Sequence, residues 1–308
     1  MSQPERADFL SARVLIPFVI VTLIWGSTWI VIKDQLGVVP PSWSVAYRFG
    51  VAAIAMFMLV ALRREPLLLD RRTLLFAALL GLAQFSLNFN LVYRAEGYIT
   101  SGVVSVIFAL LMVPNAILSR LFLGTPIARR FLIGGTISTV GIAMLLWHEA
   151  SQMTGDPHAV LIGTALTLTG MLGASCANVM QASPMGRAAP MMTMVAWAML
   201  TGALCDAAIA WATVGPPVID TRPGYIGGVL YLALAGSVIT FPLYFGIIRN
   251  IGAGPAAWSS VLIPIIAMAL STLAEGYSWT GLAVAGAIFA IAGIIWAVRP
   301  EPARTLNA

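Results

Sequence analysis

The chain has 308 residues, of which 59% are hydrophobic and 9% charged, with a formal net charge of +5. Soluble domains carry about one charged residue in four, so a water-facing fold of this length is excluded for want of groups to cover its surface. Two cysteines and two histidines exclude a disulfide framework and a Cys/His metal cluster, and no stretch joins basic residues to the aromatic context of a nucleic-acid binder.

A bilayer removes the need for a charged surface. Its hydrocarbon core is about 30 Å thick, so a crossing helix needs about 20 apolar residues. Met1 to Arg13 is polar and leads into an apolar run from Val14 to Ile32. That run exceeds a signal-peptide core and lacks a small-residue cleavage site, and it reads as a retained first span. Continuing along the chain, the apolar runs predict spans at 14–32, 43–62, 73–93, 101–123, 131–148, 159–180, 191–213, 225–248, 256–274 and 279–298. Cys176 and Cys205 fall inside two of them, as small packing residues. The joining segments are short, which predicts antiparallel neighbours.

Basic residues mark the side of each loop. With ten spans, thirteen arginines fall on the side of the N-terminus, while Lys33, Arg94 and Arg222 fall on the other and Arg48 lies within a span. This asymmetry predicts both termini inside and an even number of spans.

The chain also resembles itself at an offset of 152 residues. Gly102 aligns with Gly254, Gly124 with Gly276, Gly134 with Gly286 and Gly141 with Gly293. In the fifth and tenth spans, Gly134, Ser138, Gly141 and Gly286, Ala290, Gly293 recur at i, i+4, i+7, which puts small residues on one helix face for close approach. Two five-span copies have an odd count, so the second enters the membrane inverted, an arrangement common in secondary transporters. The domains expected are 14–148 and 159–298.

Several segments resemble a known family. The first span reads Leu23-Ile24-Trp25-Gly26-Ser27-Thr28-Trp29, and the second carries Tyr47-Arg48-Phe49. The fourth ends in Arg120-Leu121-Phe122-Leu123-Gly124, and the ninth runs from Pro264 to Leu273-Ala274-Glu275-Gly276. Together these resemble the EamA-type exporters of the drug/metabolite transporter superfamily over nearly the whole chain, leaning toward amino-acid exporters of the YddG type. The resemblance implies an all-α polytopic protein of the bacterial inner membrane, with ten helices in two inverted repeats around a central cavity. It implies export of small metabolites by alternating access, amino acids foremost, with other metabolites or drugs as the alternative. No cofactor and no metal are expected, the partners are substrate and lipid, and a monomer suffices. One departure is visible: the mate of Pro264 is Met112, with the proline displaced to Pro114.

Polar side chains inside the spans are the candidates for transport, because they cost free energy in hydrocarbon unless they pair or meet water. The third span offers Gln84, Ser86, Asn88, Asn90 and Tyr93. At 100° per residue, Ser86, Asn90 and Tyr93 share one face and Gln84 and Asn88 lie opposite, a helix buried on two sides. Thr240 is the mate of Asn88 and shares a face with Ser237 and Tyr244. The sixth span supplies Ser175, Asn178 and Gln181, and the ninth opens with Trp258, Ser259 and Ser260.

The expected substrate-binding set is Trp25, Thr28, Asn88, Asn90, Asn178, Thr240, Tyr244, Trp258 and Ser260: neutral hydrogen-bonding groups beside broad indole walls. Trp147, Trp279 and Trp296, near span ends, read as interfacial anchors. Arg48 attracts a carboxylate, caps a neighbouring helix or snorkels, and the structural roles are favoured. Asp206, within the seventh span, has no evident partner in the sequence, so a proton relay has thin support. An intramembrane enzyme needs a metal cluster, paired acid and base, or an activated nucleophile, and the spans hold no interior histidine or paired carboxylates. A channel is separated from a carrier by conductance against saturation and counterflow.

Reporter fusions test the orientation. Fusions after Arg64 and after Ala308 should report cytoplasm and one after Asp156 periplasm; an external C-terminus would overturn the ten-span reading.

Overall fold

The computed structural model describes residues 11–127, 129–152, 158–251 and 259–298. Among these the chain is helical, without a strand. Ten elements are labelled: α1 (Ala12–Asp34), α2 (Pro41–Leu62), α3 (Arg71–Ala95), α4 (Ser101–Leu123), α5 (Arg129–Gln152), α6 (His158–Ala182), α7 (Met191–Val214), α8 (Pro223–Tyr244, continuing helical to Ile251), α9 (Ser259–Ala274) and α10 (Gly281–Val298). A short helix, Pro184–Ala188, links α6 to α7. Eight helices are long and apolar enough to cross a membrane, and two shorter apolar ones run Leu262–Ala274 and Gly281–Ala297. Residues 256–258 of the expected ninth span lie outside the described residues.

Local chemistry sets the ends. Proline, which lacks the amide hydrogen that a first turn leaves unbonded anyway, opens α2 at Pro41 and α8 at Pro223. The Asp70 carboxylate caps α3 by accepting from the backbone N–H groups of Arg72 and Thr73. Gly124 ends α4 at φ 70° and Gly276 follows α9 at φ 68°, a left-handed conformation that favours glycine. These two terminators stand 152 residues apart.

The same offset recurs in the backbone of α3 and α8. Each is interrupted by a π-helical segment, Leu82–Asn88 in one and Leu234–Ile239 in the other. Neither was legible from hydropathy. The packing also follows the offset: α2 lies on α7 and α5 on α10, α1 packs on α8 and α9, and α6 packs on α3 and α4. The outward faces carry large apolar side chains, such as Ile54, Leu121, Leu161 and Leu204. In water they would form an aggregating surface; lipid tails solvate them.

The α5–α10 contact is built on absent side chains. A Cβ at Gly141 would lie 2.3 Å from Ala290 N and 2.5 Å from Gly286 O, and one at Gly293 would lie 2.5 Å from Gly134 O. The Ser138 hydroxyl donates to Ala290 O at 2.9 Å, joining a residue to its own mate. Replacing Gly141 or Gly293 with leucine forces backbones apart, and overpacking costs about 1–3 kcal/mol. Both variants should melt earlier in detergent and yield less monodisperse protein; wild-type yield and melting in both would show that the contact is dispensable.

Candidate functional site

Because α3 is pressed from two sides, its polar residues are divided between two tasks. Against α7, the Asn90 amide donates to Asp206 Oδ1 at 2.7 Å and to Ser86 O at 3.2 Å, with Asp206 wholly buried. Against the bundle centre, Gln84 and Asn88 face a cavity. On the α6 side the helices nearly touch: a Cβ at Gly173 would lie 2.8 Å from Ala83 O. The π segment alters the angular spacing within Leu82–Asn88, and such segments often sit at functional sites.

The cavity has a volume of about 150 Å³. Its wall comes from α1, α2, α3, α4, α6, α8 and α9, so both sequence halves contribute. Aromatic rings dominate it. Trp25 lies 4.9 Å from Tyr244 and 5.7 Å from Phe241, centroid to centroid, and Trp29 lies 5.5 Å from Phe108.

The other π segment anchors one wall. The Trp25 indole donates to Thr240 Oγ1 at 2.9 Å and to Gly236 O at 3.3 Å, tying α1 to α8. A Cβ at Gly236 would lie 3.0 Å from Thr28 Cγ2 and 3.5 Å from Arg48 Nη2, so glycine there gives room to both.

Of the residues expected to contact a substrate, Trp25, Asn88, Asn178 and Tyr244 are in the cavity wall. Asn178 also donates to Asn115 Oδ1 at 3.4 Å. Three lie beside the cavity and outside its wall: Thr240 accepts from Trp25, Thr28 donates to Trp25 O at 2.8 Å, and Asn90 is spent on Asp206. Trp258 lies outside the described residues, and Ser260 is described in its backbone alone.

Two sequence expectations are corrected. Asp206 has a partner, Asn90, 116 residues away in sequence and therefore invisible to local patterning. The lining is not neutral either, because Arg48 belongs to the wall. Its guanidinium stacks 4.4 Å from the Phe89 ring centroid and 5.1 Å from that of Phe49, and it donates to Ser237 Oγ at 3.4 Å. Phe89, Phe108 and Phe241 were also missed as wall residues, since apolar residues in an apolar span carry no distinguishing signal.

At one end of the bundle polar contacts join four helices. Lys33, at the end of α1, donates to the backbone carbonyl of Glu96 and lies 3.9 Å from Glu275, which follows α9. Glu275 in turn accepts from the Ser101 backbone N–H at 3.2 Å and from its hydroxyl, at the start of α4. The ends of α1, α3, α4 and α9 are thereby held together, with Glu96 and Ser101 wholly buried.

Comparison with known proteins places this architecture. The EamA-like transporter family matches the chain twice, over residues 13–147 and 161–299. The chain belongs to the EamA-like transporter family. Relatives include the uncharacterized inner membrane transporter YedA of Escherichia coli K12, 30% identical over 81% of this chain and 79% of that protein. The protein PagO of Salmonella typhimurium is 27% identical over 85% and 84%. A probable amino-acid metabolite efflux pump of Salmonella typhimurium is 25% identical over 89% and 91%. A solved crystal structure covering 92% of this chain and 95% of its own superposes with a TM-score of 0.68 at 16% identity, a likeness of fold.

In this EamA-like transporter the Asn90–Asp206 pair is separable from the cavity. Asn90→Ala removes the amide donor from a buried carboxylate and should destabilise by about 1–3 kcal/mol, read as earlier melting. Asp206→Asn keeps an acceptor and should leave both melting and gradient-driven transport near wild type. If Asp206→Asn abolishes gradient-driven transport and spares exchange, Asp206 couples transport to protons.

Proposed function

We propose that this member of the family exports small metabolites, neutral and aromatic amino acids foremost, across the bacterial inner membrane by alternating access. The observation that carries this reading is a central cavity with aromatic walls and hydrogen-bonding groups from both sequence halves. Such a wall takes varied side chains by surface contact and holds the polar end through a few directed groups. The wall includes Ile32, next to Lys33, whose ion pair with Glu275 ties α1 to the end of α9.

In this reading the chain makes ten spans in two inverted halves, 14–148 and 159–298. The termini are cytoplasmic, as the arginine distribution supports. Trp25, Asn88, Asn178 and Tyr244 contact substrate, with Trp258 and Ser260 added from the sequence pattern. Thr28, Asn90 and Thr240 support them from behind, and a monomer suffices. Outward direction rests on the relative named as an efflux pump.

The test is counterflow of labelled amino acids in proteoliposomes of the purified chain. Transport should saturate and should persist down a gradient after the proton gradient is collapsed. Asn88→Ala and Tyr244→Ala each remove a neutral hydrogen-bonding group worth about 0.5–1.5 kcal/mol, a few-fold to about tenfold in half-saturation. Yield should be unchanged. Unaltered half-saturation in both variants would remove these residues from the site.

A further inference from the structure

We propose that Arg48 is the anchor for a substrate carboxylate, which makes a carboxylate a requirement for binding. The inference rests on the cavity read above as the transport site. Arg48 is 2% exposed, lines the cavity and takes part in none of the ion pairs among the described residues. Its Nη1 is buried without a hydrogen-bond partner. A guanidinium stays protonated in proteins; the buried Glu96 interacts with it electrostatically, but no described carboxylate contacts it directly, and a buried charge without direct pairing is unfavourable. Snorkelling does not explain it, because its head is held inside the bundle between Phe89, Phe49 and Ser237. Capping does not either: the described partners of its side chain are the Ser237 and Tyr93 hydroxyls, and none is a carbonyl.

Three other wall residues have buried polar atoms without partners: the Trp29 indole nitrogen, Asn88 Oδ1 and Ser105 Oγ. Buried polar groups in native proteins are mostly bonded; other unbonded atoms lie elsewhere, Glu96 Oε1 and Asp206 Oδ2 among them, but these four share one cavity, where a ligand would meet them. Their chemistry is divided. The guanidinium and the indole donate, which suits an anion; Asn88 Oδ1 accepts, which suits an ammonium. The ring faces of Phe89 and Phe49 and the weak Ser237 contacts hold the guanidinium plane, leaving Nη1 for the incoming anion.

Titration calorimetry of the purified full chain with three compounds tests this. Phenylalanine carries both charged groups, 3-phenylpropionate lacks the amine and phenethylamine lacks the carboxylate. Phenylalanine and 3-phenylpropionate should bind, and phenethylamine should bind at least tenfold more weakly. Arg48→Gln should weaken phenylalanine about 10–100-fold, the equivalent of one hydrogen bond to a charged group, and remove its advantage over phenethylamine. Arg48→Lys should retain part of it. The wild-type series stands even if the glutamine variant fails to fold. The inference is overturned if phenethylamine binds as tightly as phenylalanine, if neither carboxylate binds, or if folded Arg48→Gln keeps wild-type affinity. Binding of 3-phenylpropionate without phenylalanine would uphold Arg48 and overturn the amino-acid reading instead.

Discussion

Hydrocarbon offers no hydrogen bonds, and that constraint governs this chain at every level. It requires helices, which satisfy their own backbones, and it leaves each buried polar side chain to find a partner in the protein or in a water-filled space. Thr22, Thr136, Thr139, Thr167, Thr169 and Thr201 solve this locally, each donating to the carbonyl four residues back. Asn90 and Asp206 solve it between helices. Arg48 and Asn88, in the cavity wall, retain atoms that the protein leaves unbonded. Unbonded atoms also occur away from the cavity, Asn90 Oδ1 and Asp206 Oδ2 among them, so an unsatisfied group points to a ligand only where a cavity adjoins it.

Much of the fold was legible because its signals are one-dimensional. Span 43–62 corresponds to Pro41–Leu62 and span 101–123 to Ser101–Leu123, since apolar length is set by bilayer thickness. The glycine offset of 152 reappears in matched π segments and in the Ser138–Ala290 contact. Within α3, helical periodicity separated the Asn88 face from the Asn90 face, and the two faces meet different neighbours. The wall residues Trp25, Asn88, Asn178 and Tyr244 were found because polar or indole groups inside spans stand out.

What stayed hidden depends on pairs distant in sequence or on backbone irregularity. The cation–π cradle of Arg48 needs Phe89, 41 positions away, and its hydroxyl contact needs Ser237, 189 positions away. A π turn adds one residue to a helical cycle without changing composition, so hydropathy does not register it. Thr28 and Thr240 look from sequence like residues facing a substrate, yet their hydroxyls are spent positioning Trp25. Polarity inside a span identifies a constrained residue; geometry decides whether a ligand or a neighbouring helix meets the need.

The polar end of the bundle breaks the symmetry of the repeat. Lys33 and Glu275 have as their mates Met185 and Leu123, so one end is held by ionic contacts and the corresponding positions at the other are apolar. Under the alternating access proposed above, equal halves would interconvert between mirror states of equal energy, and halves held unequally would not. In that proposed cycle the unloaded carrier rests more on one side than the other, and its apparent affinity from each face is scaled by that resting occupancy. The final distribution of substrate is unaffected, since no contact inside a catalyst of translocation shifts the equilibrium across the membrane. What the latch sets is kinetic: the concentrations at which traffic begins from each side.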